Sequence, residues 1–76
     1  MGTLVCRIEL DKEAGITVTV DNADDKITQT LVFDGQSITM TCKGDSETST
    51  IVQKPESIAV KCKTFTLDTE DTITVT

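Results

Sequence analysis

The sequence predicts an all-β chain with little or no helix, made of short stacked strands that need partner copies to close a core. Apolar residues recur at every second position in run after run, the period of a strand with one buried and one wet face. Clusters of Gly, Asn, Asp and Pro separate the runs. The chain has 76 residues, with two Phe, no Trp and no Tyr, so one copy has little with which to fill an interior.

The runs can be justified in order. Leu4, Cys6, Ile8 and Leu10 form the first, and Asp11–Gly15 separates it from Ile16, Val18 and Val20. Asp21–Asp25 leads to Ile27, Leu31 and Phe33, and Asp34-Gly35 leads to Ile38, Met40 and Cys42. Lys43–Ser46 precedes Ile51 with Val52, and Lys54-Pro55-Glu56 precedes Ile58, Val60 and Cys62. Phe65 and Leu67 follow, and beyond Asp68–Asp71 come Ile73 and Val75. From Ile16 onward these apolar positions, Val52 aside, are the candidate inward rows of an assembly. Thr is the commonest residue, fifteen of 76, and it sits between the apolar positions. Its β-branch favours extended backbone while its hydroxyl tolerates water.

Strand onsets lie twelve, eleven, eleven and thirteen residues apart from Leu4 to Ile51, then seven, seven and eight apart to Ile73. The spacing of seven or eight is too short for crossover helices between parallel strands. Between Cys62 and Phe65 the apolar parity flips, which predicts a corner or bulge at Lys63-Thr64. Short stacked strands suggest a solenoid with one strand per corner, in which repeats bury a core only through neighbours. Three chains around one axis would supply three walls, and eight strands would reach on the order of 40 Å.

Composition excludes several functions. Without His the chain lacks the commonest general base and a usual zinc ligand, and Ser and Thr have no evident activating group. A net charge of −6 without a basic cluster opposes nucleic-acid binding, and no aromatic platform is available to stack bases. The acidic clusters Asp21, Asp24, Asp25 and Asp68–Asp71 miss calcium-loop spacing and read as solvated turns. Cys6, Cys42 and Cys62 share parity with their apolar neighbours and read as small buried hydrophobes. The alternatives are one internal disulfide with a spare thiol, or metal binding. The expectation is a structural protein with no catalysis, no cofactor and no small-molecule substrate.

The first residues lack the basic start and apolar run of a signal peptide, so synthesis in the cytoplasm is expected. The alternating pattern is already running at Leu4 and still running at Thr76. Residues 3–76 are therefore expected to be one domain cut from a longer chain, with Met1 and Gly2 added for expression.

The stretches Gly15–Val20, Gln36–Thr41 and Ser57–Lys61, with the opening Cys6–Asp11 and the closing Thr72–Thr76, resemble a known family of spike proteins. These are the β-helical shafts of the VgrG proteins of type VI secretion and the central spikes of contractile phage tails. The resemblance rests on repeat style over nearly the whole chain. It implies an intertwined homotrimeric β-helix, a triple-stranded β-solenoid forming a rigid needle under the tube of an injection machine. The implied partners are two further copies, the machine's tip and tube proteins, and the cell envelope that the needle pierces. The implied location is a virion tail or a secreted, injected spike. The paired histidines that hold iron in some tips are absent from this sequence. Spacing near eleven in the N-terminal half also departs from the plain octad of the best-known phage shaft.

The competing expectation is a monomeric antiparallel β-sandwich or open barrel serving binding or adhesion. Its best support is Phe33-Asp34-Gly35-Gln36, which reads as a two-residue hairpin pairing residues 26–33 with 36–42. Gln29 falls in register with Ile27, Leu31 and Phe33, and Gln53 with Ile51. If that parity holds, both face inward, where a polar layer could fix chain register; the alternative is a local bulge that turns each outward.

Overall fold

The alternating runs and turn clusters produce six strands in a computed structural model, which describes residues 3–76. They are β1 (Leu4–Asp11), β2 (Gly15–Asn22), β3 (Ile27–Phe33), β4 (Ile38–Lys43), β5 (Thr48–Lys54) and β6 (Ser57–Lys61). All pair antiparallel with their sequence neighbours, giving one open sheet in the order β1-β2-β3-β4-β5-β6. No helix occurs among the described residues. The expected additions Met1 and Gly2 lie outside the described residues.

Local chemistry makes each reversal. The Asp11 carboxylate accepts hydrogen bonds from the backbone N–H groups of Glu13 (2.7 Å) and Ala14 (3.2 Å), tying the β1–β2 turn. Gly15 closes that turn at φ +100°, a conformation side-chain-bearing residues rarely adopt. Asn22 and Asp25 brace the β2–β3 turn, which ends at Lys26 with φ 56°. In the β4–β5 turn the Gly44 N–H donates to the Glu47 carbonyl at 2.7 Å. Pro55-Glu56 joins β5 to β6, with Lys54 opposite Ser57. Proline's preset φ suits that tight turn.

Three expectations are corrected. The hairpin at Asp34 exists, but Phe33 pairs with Ile38, so its loop has the four residues Asp34–Ser37 and not two. The Asp34 carboxylate explains the extra length, because it accepts from the N–H groups of Gln36 (2.9 Å) and Ser37 (2.8 Å) and so organises a wider turn. One strand per corner does not describe Leu4–Lys61, where every connection is a hairpin that returns the chain beside its predecessor. Finally, the expected strands at Phe65–Leu67 and Ile73–Val75 join no ladder, and the sheet has six strands where eight were expected. The backbone bends at Lys63, whose ammonium reaches Glu47 at 3.0 Å. Cys62-Lys63 has neither a preset Pro nor a Gly or Asn to make a further tight hairpin.

A single twisted layer encloses nothing. The chain exposes 6701 Å², and among the described residues no hydrophobic side chain is buried. A compact monomer of 8.2 kDa would expose about 4,500 Å². The radius of gyration is 15.2 Å, against about 11 Å for a compact domain of this length.

Candidate functional site

Antiparallel register places directly opposed residues on the same face of a sheet. Applied across all six strands, it collects the apolar positions into transverse rows on one side. The central row is Ile8, Val18, Leu31, Met40, Ile51 and Val60, aliphatic or thioether throughout. One flanking row runs Leu10, Ile16, Phe33, Ile38, Gln53 and Ile58. The other runs Cys6, Val20, Gln29, Cys42 and Ser49. Ile27 lies beyond it, opposite Asn22.

This face is open. Ile8 is 68% exposed, Leu10 75%, Ile58 66% and Met40 44%. A shallow hollow of about 370 Å³ lies over Val18, Leu31, Met40 and Ile51. In the tail Phe65, Leu67, Ile73 and Val75 are exposed as well. An apolar surface of this extent is one that soluble chains normally cover.

The opposite face is built differently. Its central row is Arg7, Thr19, Thr30, Thr41, Thr50 and Lys61, so four threonines stand side by side on adjacent strands. The next row mixes Glu9, Thr17 and Thr39 with Val32, Val52 and Ala59. Val52 thus faces away from its neighbour Ile51. Thr28 donates to the Asp21 carboxylate at 3.3 Å, linking β2 and β3 on this side.

Polar residues on the apolar face are few. Gln29 sits between Val20 and Cys42, and Gln53 between Ile38 and Ile58, so register places both among the hydrophobes. Ser49 joins them beside Cys42. Sequence reading missed Ser49, although the signal was there: positions 49, 51 and 53 share the parity of Ile51. The Asn22 side chain is instead engaged with Asp25 in the turn.

The three thiols are free, and the internal disulfide alternative is not realised. Cys42 and Cys62 border one hollow with Ser49, which pairs with Cys42 across the β4–β5 ladder. No group of three or more His, Cys, Asp or Glu is placed to hold a metal ion among the described residues.

The ionic features lie at the turns. Backbone N–H donors from Glu13 and Ala14 hold the Asp11 carboxyl below its ordinary value, and those from Gln36 and Ser37 do the same for Asp34. In the second turn the Ser37 hydroxyl also donates to the Asp34 carboxylate at 3.3 Å, so both carboxylates are engaged within their own turns. No protein-family model, curated protein or solved structure matches the chain.

Proposed function

We propose that this chain is a structural segment of a homotrimeric spike, a rigid needle of the kind that contractile injection machines drive through a cell envelope. The observation that carries the reading is the continuous apolar face, which no described part of the chain covers. Relative to a compact monomer, each copy has roughly 2,200 Å² of additional surface to bury, the scale of an obligate assembly. Three sheets turned inward around one axis supply that burial.

The distribution of polar residues favours three copies over two. Two sheets face to face would enclose every inward row in one interior about 10 Å thick, Gln29 and Gln53 included. Around a threefold axis only the central row converges on the axis. The flanking rows lie toward the corners, nearer water and the opposite flank of another copy, so a polar side chain there is less enclosed than on the axis. The central row is the one without a single polar side chain.

The tail fits the same arrangement. Phe65–Leu67 and Ile73–Val75 keep strand alternation yet have no ladder within the chain. Past the bend at Lys63 they would pair with neighbouring copies, so the intertwined part of the spike would begin there. Ladder hydrogen bonds running along the axis through every strand would resist shear together. A trimer would carry about −18 charges, which keeps it soluble and discourages adhesion to anionic lipid. Penetration would therefore be driven by the machine and not by affinity for the membrane.

Amide hydrogen exchange of the full chain tests the assignment. Protected amides at residues 65–67 and 73–75, together with a trimer that survives ionic detergent without heating, are expected. Fully exchanging tail amides in a monomer would overturn it.

A further inference from the structure

We propose that β5 carries a polar lock between copies, in which the Gln53 amide of one chain hydrogen-bonds the Ser49 hydroxyl of the next; this rests on the trimeric reading above. The strand presents Ser49, Ile51 and Gln53 to the apolar face, and among the described residues it is the only strand whose central hydrophobe is flanked by polar residues on both sides. Residues two apart on a strand lie about 6.8 Å apart. If Ile51 points at the threefold axis, Ser49 and Gln53 therefore stand equally far to either side of it.

Symmetry then sets their neighbours. In a closed ring of three identical walls, the left side of one wall meets the right side of the next at the same height. A residue flanking the centre of a strand thus meets the opposite flank of the same strand in the adjacent copy. For β1 that pairs Cys6 with Leu10, for β2 Ile16 with Val20 and for β4 Ile38 with Cys42, apolar with apolar, while for β3 it sets Gln29 against Phe33. For β5 it pairs Gln53 with Ser49, polar with polar. Three such bonds would ring three Ile51 side chains.

The pairing removes a difficulty. Gln53 lies between Ile38 and Ile58 within its own sheet, and neither side chain can satisfy an amide. Ser49 of the adjacent copy offers a hydroxyl that both donates and accepts. A one-strand slip between copies would set Gln53 against apolar flanks, so the lock also fixes axial register. Buried polar residues perform that service in coiled coils.

Cross-linking tests the geometry. In a full-length chain with Cys6, Cys42 and Cys62 changed to Ala, Ser49→Cys and Gln53→Cys are introduced together and the protein is oxidised. Within one chain these positions are about 13.6 Å apart along the strand, too far for a disulfide. The expected product is a covalent trimer on a non-reducing gel, in most of the protein, with each single substitution giving none. A trimeric mass without cross-links would overturn the lock and leave the spike assignment standing. A monomeric or dimeric mass for the unsubstituted chain would overturn both.

Discussion

Gly15 lies against the backbone of Phe33: a Cβ built on Gly15 would stand 1.8 Å from the Phe33 carbonyl oxygen. The first turn and the end of β3 therefore meet where only hydrogen fits. The same residue holds φ +100°. Gly15→Ala is expected to destabilise the sheet by about 1–3 kcal/mol from backbone strain, with the steric overlap adding to that. Thermal unfolding followed by circular dichroism near 215 nm reads it. An unchanged midpoint would show that β2 and β3 do not approach as described.

The two faces predict opposite responses to charge. Leu31→Asp puts a carboxylate in the central row, where three copies would bring three together without partners. Several kcal/mol per buried ion is enough to prevent assembly. Thr30→Asp, on the adjacent position and the other face, should assemble normally and lose no more than about 1 kcal/mol of sheet stability. Size-exclusion chromatography of the pair distinguishes them. Equal behaviour would mean that the apolar face is not the interface.

Asp34 predicts an acid limit. Its carboxyl is held below the ordinary value of 3.8 by the N–H groups of Gln36 and Ser37, so the folded state prefers the ionised form more than the unfolded chain does. That stabilisation is complete above the ordinary value and disappears as pH falls through the lowered one. Asp11 contributes with the same sign through Glu13 and Ala14. Asp34→Asn keeps an acceptor for the turn but removes the titration. Its loss of stability between pH 5 and pH 2 should be smaller than that of the unsubstituted chain, measured by denaturant midpoints at each pH.

Gln29 and Gln53 should differ although both lie on the apolar face. In the proposed trimer the flank opposite Gln29 at the level of β3 would be Phe33 of the adjacent copy, whose ring offers only a weak partner to an amide. Gln29→Leu is expected to leave the trimer intact and raise its stability by about 1 kcal/mol per chain, since an imperfectly satisfied amide is removed. Gln53→Leu should lower it, leaving the Ser49 hydroxyl without its partner. Thermal midpoints of the two variants at equal concentration give the comparison.

Much of this sheet was legible in the residues, for definable reasons. Period-two alternation gave the strand interiors, and the parity of Ile16, Val18 and Val20 or of Ile38, Met40 and Cys42 is the parity of the apolar face. Turn chemistry located every reversal as far as Pro55. The length of the Asp34 loop was not legible, because the Asp-Gly pair signals a tight turn while the reach of the Asp34 carboxylate to Ser37 is a three-dimensional fact. Strand direction was legible only at the Asp34-Gly35 hairpin, since alternation is identical in a hairpin and in a stacked coil. The tail shows the limit most plainly: Phe65, Leu67, Ile73 and Val75 alternate like a strand, but alternation does not say whose edge they join. Ser49 escaped notice because a serine between threonines carries no contrast until register sets it opposite Cys42.

Sedimentation equilibrium with interference optics tests the central claim most directly, because a chain without Trp or Tyr absorbs little near 280 nm. Three copies of the 8.2 kDa chain predict a mass of about 25 kDa, unchanged over a wide range of loading concentrations. A mass of 8.2 kDa for a folded species, or about twice that for two sheets face to face, would contradict the account.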